Sequence, residues 1–509
     1  MKIKIILFII IILGFIARIY QINQYPPALN WDEVSLGYNA YSIGHTLKDE
    51  WGNFLPTIFQ AYGDYKLPVY VYLSVPFILI FGLNALGIKL LSIISGTLLI
   101  FITYKILFLI IKSKNTSLLG SFLIALSPWS IFLSRIALEA NLFLLLFSIS
   151  FYYLLKNNLA ISSLFFGISL FTYNSSRVLL PFYLLVLLFL FIKSKIKFTY
   201  SFLPFIIFLL LFVFQTLSTA GQARYKWVSL LDQGAINQIN ELQPKYSRFV
   251  VNKATFFVFT AVKNYFSHFD YHFLFVNGGS HYQFNLQHFY LLSPLLIPLF
   301  FLGLFYLLKN KQLTSLLLLF FFFVSPLPSA ITRDAPHTLR SILFIYLSSL
   351  IIALGSYYLK KTWLFLPCIF IIIYSNLSFW KKYQLYSTEY ILSWQYGYQP
   401  MVEEIKKSYS YVDQVYITKK YGEPHEFILF YWPIKPKNYR PVWDYHDNWF
   451  WVNRFDKFIF YNDYEFNQTS FLKNSLIITS PGNKPIDSKL IKTIYTPNNQ
   501  PVFDIFKYE

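Results

Sequence analysis

Residues 1–380 contain ten carboxylates, and they are unevenly spread. Asp32 and Glu33 are adjacent in a segment that also holds Asp49, Glu50 and Asp64. Glu139 interrupts an apolar run between Ile136-Ala137-Leu138 and Ala140-Asn141-Leu142. A carboxylate beside a membrane-length apolar segment is costly unless it is paired or wet, so Glu139 is a functional candidate by default. The cations with matching placement are Lys66, Arg135, Arg177, Arg333 and Arg340, with His337 between the last two. Carboxylates and cations gathered at one water-accessible face are the residue types of proton transfer and anion binding.

Each of these residues also has a plainer reading. Asn30-Trp31-Asp32-Glu33 precedes a helical-looking VSLGYNAYSIG, so the acids could be a cap and first-turn charges. Arg135, Arg177, Arg333 and Arg340 could anchor helix ends among lipid headgroups. Arg135 and Glu139 are spaced as a helical i, i+4 ion pair. His268 and His272 share that spacing, but no zinc-protease glutamate accompanies them, and a solvated loop is expected there.

The elements that must position these residues are mostly apolar. The chain has 509 residues, 56% hydrophobic and only 13% charged, too few polar groups to coat a water-facing surface. Cys368 is the single cysteine, which excludes a disulfide scaffold. The net charge of +19 is concentrated in residues 1–380, with 27 basic and 10 acidic groups against 16 and 14 in 381–509. That distribution fits basic cytoplasmic loops of a multi-pass membrane protein and argues against a nucleic-acid partner.

Eleven apolar runs are candidate membrane spans, near 5–20, 88–111, 117–134, 138–155, 159–173, 178–192, 198–217, 289–308, 312–325, 339–359 and 362–379. With the N-terminus cytoplasmic, the clusters Lys2/Lys4, Lys112/Lys114, Lys156, Lys193/Lys195/Lys197, Lys309/Lys311 and Lys360/Lys361 all fall on the cytoplasmic side. Residues 68–82 are shorter and carry two prolines, so they are expected to form a helix at the outer interface. The first span lacks a small-residue cleavage site and is expected to stay as an anchor.

This layout predicts an all-α polytopic membrane domain over 1–380. Its outer stretches are a first loop, 21–87, a second large loop, 218–288, and a short one, 326–338. A small α/β domain is expected outside over 381–509, with a helix near 398–409. The runs QVYITKK, EFILFYW, KFIFYN and SLIITS have strand composition.

The motifs resemble a known family. An Asp-Glu pair after the first span is Asp32-Glu33. A Lys-x-Pro stretch running to Phe-Gly is Lys66 to Gly82. A Ser-Arg-x-Ala-Leu-acid segment is Ser134, Arg135, Ala137, Leu138 and Glu139. These are similar to the GT-C membrane glycosyltransferases that use polyprenyl-phosphate sugars, such as protein O-mannosyltransferases and lipid A aminoarabinose transferases. The stretch NYFSHFDYHFLFVNGG, 264–279, also looks like a late outer loop of bacterial members. Two positions depart from the family pattern: Leu67 stands where a proline is usual, and Glu139 where Asp is common.

The resemblance implies a sugar donor carried on polyprenyl phosphate, and a protein, lipid or glycan acceptor whose hydroxyl attacks with inversion at the plasma membrane's outer face. It assigns the general base to Asp32, supported by Glu33, and an orienting role to Glu139. It assigns the leaving phosphate to Lys66, Arg135, Arg177, Arg333 and Arg340, with His337 beside them. No nucleotide motif and no metal set is visible, so no cofactor is expected, although an acid pair can hold a divalent ion in some relatives. The alternatives are a transporter, a lipid-linked glycan ligase or polymerase, and a noncatalytic scaffold. A transporter would place its charges near the midplane of repeated halves, and no halves match here.

Overall fold

The computed structural model describes residues 2–194, 202–446 and 449–509. Lys195 and Lys197, and the first residues of the span expected over 198–217, lie outside the described residues. In chain order the elements begin with α1 (Lys2–Ile19), α2 (Trp31–Thr46), β1 (Phe59–Gln60), β2 (Tyr65–Lys66), α3 (Pro68–Phe81) and α4 (Ala85–Ile111). There follow α5 (Lys114–Leu126), α6 (Pro128–Ser134), α7 (Glu139–Leu155), α8 (Leu159–Ser169), α9 (Ser175–Ser194) and α10 (Leu203–Leu217). Next come α11 (Thr219–Val228), α12 (Gln233–Leu242), α13 (Lys253–Ser267), α14 (Ile297–Lys309), α15 (Leu313–Val324) and α16 (Leu327–Ala330). The chain closes with α17 (Ile342–Gly355), α18 (Phe365–Glu389), α19 (Tyr398–Ser408), β3 (Gln414–Thr418), α20 (Pro424–Tyr431), β4 (Val442–His446), β5 (Trp449–Phe455), β6 (Phe458–Tyr461), β7 (Ser475–Thr479), β8 (Ser488–Tyr495) and β9 (Pro501–Tyr508). They fall into two compact units: Met1–Tyr20 with Ser92–Lys382, and Gln21–Leu91 with Tyr383–Glu509.

The first unit is helical. Each of the eleven expected spans coincides with an apolar helix, but not every helix is a full crossing. Among the described residues four are long and apolar enough, namely Ala85–Ile111, Ser175–Lys193, Leu313–Ala330 and Thr362–Glu389. The pair α5 and α6, bent by 51°, makes a fifth. The protein is a multi-pass membrane protein on this basis. α1 has the length but carries Lys2, Lys4 and Arg18. The remaining five are short; α8, for example, covers only about 16 Å at 1.5 Å per residue, against a hydrocarbon core of about 30 Å. Short helices and breaks are tolerated where neighbours cover them. All fourteen residues of α17 are buried, and α14 approaches it so closely that a Cβ on Gly303 or Gly355 would collide with the facing carbonyl of Ile351 or Leu299.

The α5–α6 bend has an identifiable cause. Pro128 has no N–H to return to the Ile124 carbonyl, so the helix breaks there. Arg18, fully buried, fills the gap. Its Nη2 donates to the Ile124 carbonyl at 3.1 Å and to Ser130 Oγ at 2.7 Å. Its Nη1 donates to the Ala125 carbonyl at 3.0 Å, and its Nε to Ser134 Oγ at 3.2 Å.

The second unit pairs the first loop with the C-terminal residues. Its seven-stranded sheet runs β4-β5-β6-β3-β7-β9-β8, with β3 parallel to both neighbours and the other pairs antiparallel. Tyr416, Tyr461, Ile477 and Phe506 form a core on the sheet. The expected α/β character holds, and α19 lies where a helix was expected. The run EFILFYW, expected as a strand, is instead α20. Pro424 at its first position starts a helix well, and a continuous apolar run has no alternation to favour a strand. α20 packs on α2 within this unit.

Candidate active site

The N-terminus of α2 is built by a reciprocal cap. Asn30 Oδ1 accepts from the Glu33 N–H and the Glu33 carboxylate accepts from the Asn30 N–H, both at 3.1 Å. Glu33 is fully buried, so its carboxylate helps fix the loop entering α2. Asp32 occupies the same first turn, where the helix dipole favours a negative charge.

β1 and β2 pair antiparallel, Phe59 opposite Lys66, and so return Lys66 toward that turn. Lys66 Nζ stands 2.6 Å from Asp32 Oδ1, and the two side chains are 14% and 21% exposed. The Tyr62 hydroxyl donates to the same oxygen at 2.7 Å. Burial first, and the Asp32, Glu426 and Glu423 carboxylates after it, hold the Tyr62 phenol well above its ordinary value, so it remains a donor.

The C-terminal residues close around this group. The Tyr62 ring stacks on Trp449, centroids 5.3 Å apart, and Trp31 lies 5.6 Å from it. Trp449 Nε1 donates to Glu423 Oε1 at 2.6 Å. His425 lies between Glu423, at 3.4 Å, and Glu426, at 3.7 Å. Burial raises the Glu426 carboxyl well above the usual carboxylate range, with Glu50 the next cause. Burial likewise raises Glu50, although Asn39 donates to it at 3.0 Å. Burial thus shifts both carboxyls toward the protonated form, Glu50 to about 8.

The other candidate residues belong to the first unit. Arg177 and Arg340 line one cavity of about 510 Å³ whose walls include Val178, Phe212, Leu217 and Ile331. Arg177 donates to the Leu170 carbonyl at 3.1 Å and to the Gln215 side chain. Arg340 Nη1 donates to Thr332 Oγ1 at 3.0 Å and to the Arg333 carbonyl at 2.6 Å. His337 is buried next to it and accepts from the Arg340 N–H at 3.4 Å. Arg333 points toward solvent, 39% exposed, over the Trp227 ring and 3.9 Å from Asp334.

Arg135 is fully buried and tied into the bundle. Its Nη1 donates to the Arg18 and Tyr20 carbonyls, and the guanidinium lies 4.9 Å from the Trp380 ring. The single-helix geometry expected for the Arg135 and Glu139 spacing is corrected here. α6 stops at Ser134 and α7 begins at Glu139, so the two do not lie one turn apart on one helix. Glu139 instead opens α7 as a first-turn acid. The histidine pair is also corrected. His272 is exposed beside Asp270, but His268 is buried and its imidazole is pushed down to about 4 by burial. Among the described residues no three His, Cys, Asp or Glu are grouped to hold a metal ion.

Tyr62, Glu423, His425, Glu426 and Trp449 were not legible as site residues. Glu423-Pro424-His425-Glu426 is an acid-dense block, and that density is the one local signal that could have marked it.

Residues 8–194 match the family model of dolichyl-phosphate-mannose-protein mannosyltransferases. The three motifs from Asp32-Glu33 to Ser134–Glu139 fall inside that match, and the stretch 264–279 lies outside it. No curated protein sequence matches the chain. Among solved structures, ArnT from Cupriavidus metallidurans bound to undecaprenyl phosphate is similar over 99% of this chain and 97% of that chain, with a TM-score of 0.56 at 9% identity. The chain has the GT-C fold. A second GT-C structure, the oligosaccharyltransferase AglB of Archaeoglobus fulgidus in complex with an inhibitory peptide and a dolichol-phosphate, is similar over 84% of this chain at 14% identity and a TM-score of 0.50. The present chain spans 63% of that longer chain. At such identities the structural likeness carries the fold and not the substrate.

Proposed function

We propose that the protein is an integral membrane glycosyltransferase that moves a sugar from a polyprenyl-phosphate donor to an acceptor hydroxyl, inverting the anomeric centre. The observation that carries the reading is the Asp32–Lys66 contact in the loop after the first helix. In the reaction the acceptor oxygen attacks the anomeric carbon and its proton passes to Asp32. The bond from that carbon to the phosphate oxygen breaks, and polyprenyl phosphate leaves with the electron pair. A positioned base contributes about 10²–10⁴-fold to such a step. Lys66 Nζ lies against the base at 2.6 Å. Lys66 is thus placed to meet the charge of the leaving phosphate beside the base.

The cavity lined by Arg177 and Arg340 has the chemistry of a prenyl-phosphate site: two guanidiniums and an apolar wall. Arg333 and His337 support Arg340, and Glu139 opens the helix after the Arg135 break. In this proposal the N-terminus lies in the cytoplasm, and the Asp32 loop and C-terminal residues lie outside. A reporter fused after Lys361 is expected inside, and an outside signal there would reverse this orientation.

The experiment is a panel of polyprenyl-phosphate sugars presented to the purified protein in liposomes. Release of polyprenyl phosphate with one donor identifies the sugar. No release with any donor, against a folded protein, contradicts the proposal.

A further inference from the structure

Besides Trp31 and Asp32, the aromatic and acidic residues around Tyr62 come from the C-terminal segment of the second unit, and their order is specific. Glu423 accepts from the Trp449 indole at 2.6 Å, the Trp449 ring stacks on Tyr62, and the Tyr62 hydroxyl donates to Asp32 at 2.7 Å. The backbone reinforces the sequence, because the Phe450 N–H donates to the Tyr62 carbonyl. Gly63 allows the approach, since a Cβ there would collide with the Trp449 ring. We infer that Trp449 and Glu423 are positioning residues that hold the Asp32 carboxylate in its working orientation through Tyr62. The inference rests on the reading of Asp32 as the base, and it gives the C-terminal residues a part in the reaction itself.

Simple packing is the competing explanation, and the chemistry argues against it. A ring that only filled space could be phenylalanine. Tyr62 is 5% exposed, and its buried hydroxyl is spent on the one carboxylate that also takes Lys66. Both donors converge on Oδ1, which fixes rotation of the carboxylate about Cβ–Cγ. The charged and titratable groups around this oxygen and its donor include Lys66, Tyr62, Glu423 and Glu426. A hydrogen bond to the ionised form favours that form, so loss of Tyr62's proton makes Asp32 easier to protonate.

The test has two arms on the intact protein in detergent. The first is an infrared difference titration of Asp32, taken as each protein minus its Asp32→Asn counterpart, which reads the carboxylate without turnover. Tyr62→Phe is expected to move the Asp32 midpoint up by about one pH unit, the scale of a single hydrogen bond to a charged group. Trp449→Ala is expected to move it similarly. Tyr62→Phe combined with Trp449→Ala should move it no further, because both act through one contact. Trp449→Phe keeps the stack but loses the bond to Glu423, giving a smaller shift and guarding against a misfolded alanine variant.

Unmoved midpoints in Tyr62→Phe and Trp449→Phe, or shifts that add in the double variant, would overturn the inference. The second arm is turnover with a polyprenyl-phosphate sugar. There kcat is expected to fall about tenfold in Tyr62→Phe with KM for the donor nearly unchanged, and to fall together with the infrared shift. Absence of turnover in wild type would sink the glycosyltransferase reading while leaving the infrared result to decide the positioning.

Discussion

Arg18→Met tests the way the bundle covers its own breaks. Arginine at this site is fully buried and gives protons to two carbonyls left over at the Pro128 break and to Ser130 and Ser134. Two terms compete. Replacing a buried cation by an apolar side chain removes its desolvation cost, which is often neutral or stabilising when the partners are replaced too. Here the partners remain. Each hydrogen bond to a charged donor is worth about 1.5–3 kcal/mol, and a buried carbonyl left unmade costs about 1–3 kcal/mol. The unmade carbonyls of Ile124 and Ala125 therefore set the sign, and Arg18→Met is expected to destabilise by about 3–5 kcal/mol, the usual cost of removing one side of a buried charged contact. Arg18→Lys, which offers a point charge in place of a planar fork, is expected to fall between. Adding Pro128→Ala to Arg18→Met returns an N–H toward Ile124 and should recover about 1 kcal/mol. The assay is thermal unfolding in detergent followed by tryptophan fluorescence. An Arg18→Met melting temperature equal to wild type would refute the reasoning.

The remaining predictions concern the site. Arg177→Gln and Arg340→Gln should each raise KM for a lipid-phosphate donor about tenfold, the cost of one charge-assisted contact, whereas exposed Arg333→Gln should stay within about twofold; initial rates against donor concentration read the difference. Glu50 is raised from 4.5 to about 8 by burial, so the folded protein keeps a proton that the unfolded chain gives up. Its contribution is therefore fully present below about pH 4.5 and is lost as pH rises through about 8. Glu50→Gln should flatten the fall in melting temperature between about pH 5 and about pH 8.5, and equal slopes in wild type and variant would show that Glu50 carries no such proton.

The legible part of the fold was the part that local pattern controls. Among the described residues every long apolar run became a helix. Asp32 and Lys66 stood out because their spacing around a Pro-aromatic stretch follows a family pattern, and the fold brings them into contact. The Ser134–Glu139 segment was found as a motif, and the gap between the spans expected over 117–134 and 138–155 falls where α6 ends and α7 begins. EFILFYW was misread because β-branched and aromatic composition is shared by buried helices and strands, and its docking on α2 decides between them. Tyr62, Trp449 and Glu423 meet only through tertiary pairing across nearly the whole chain. Arg18 had no signal beyond being a cation at the end of an apolar run, and its partners are set by a proline more than a hundred residues away.

The central claim is that Asp32 and Lys66 form the reacting pair, and turnover of Asp32→Asn tests it most directly. With the donor identified from the panel, polyprenyl phosphate release and donor binding would be measured for wild type, Asp32→Asn and Lys66→Ala in the same liposomes. Asp32→Asn is predicted to lose about 10²–10⁴-fold in kcat while binding the donor within about twofold of wild type. Lys66→Ala is predicted to lose donor binding as well as rate. Wild-type turnover in Asp32→Asn would contradict the assignment of the base and, with it, of the site.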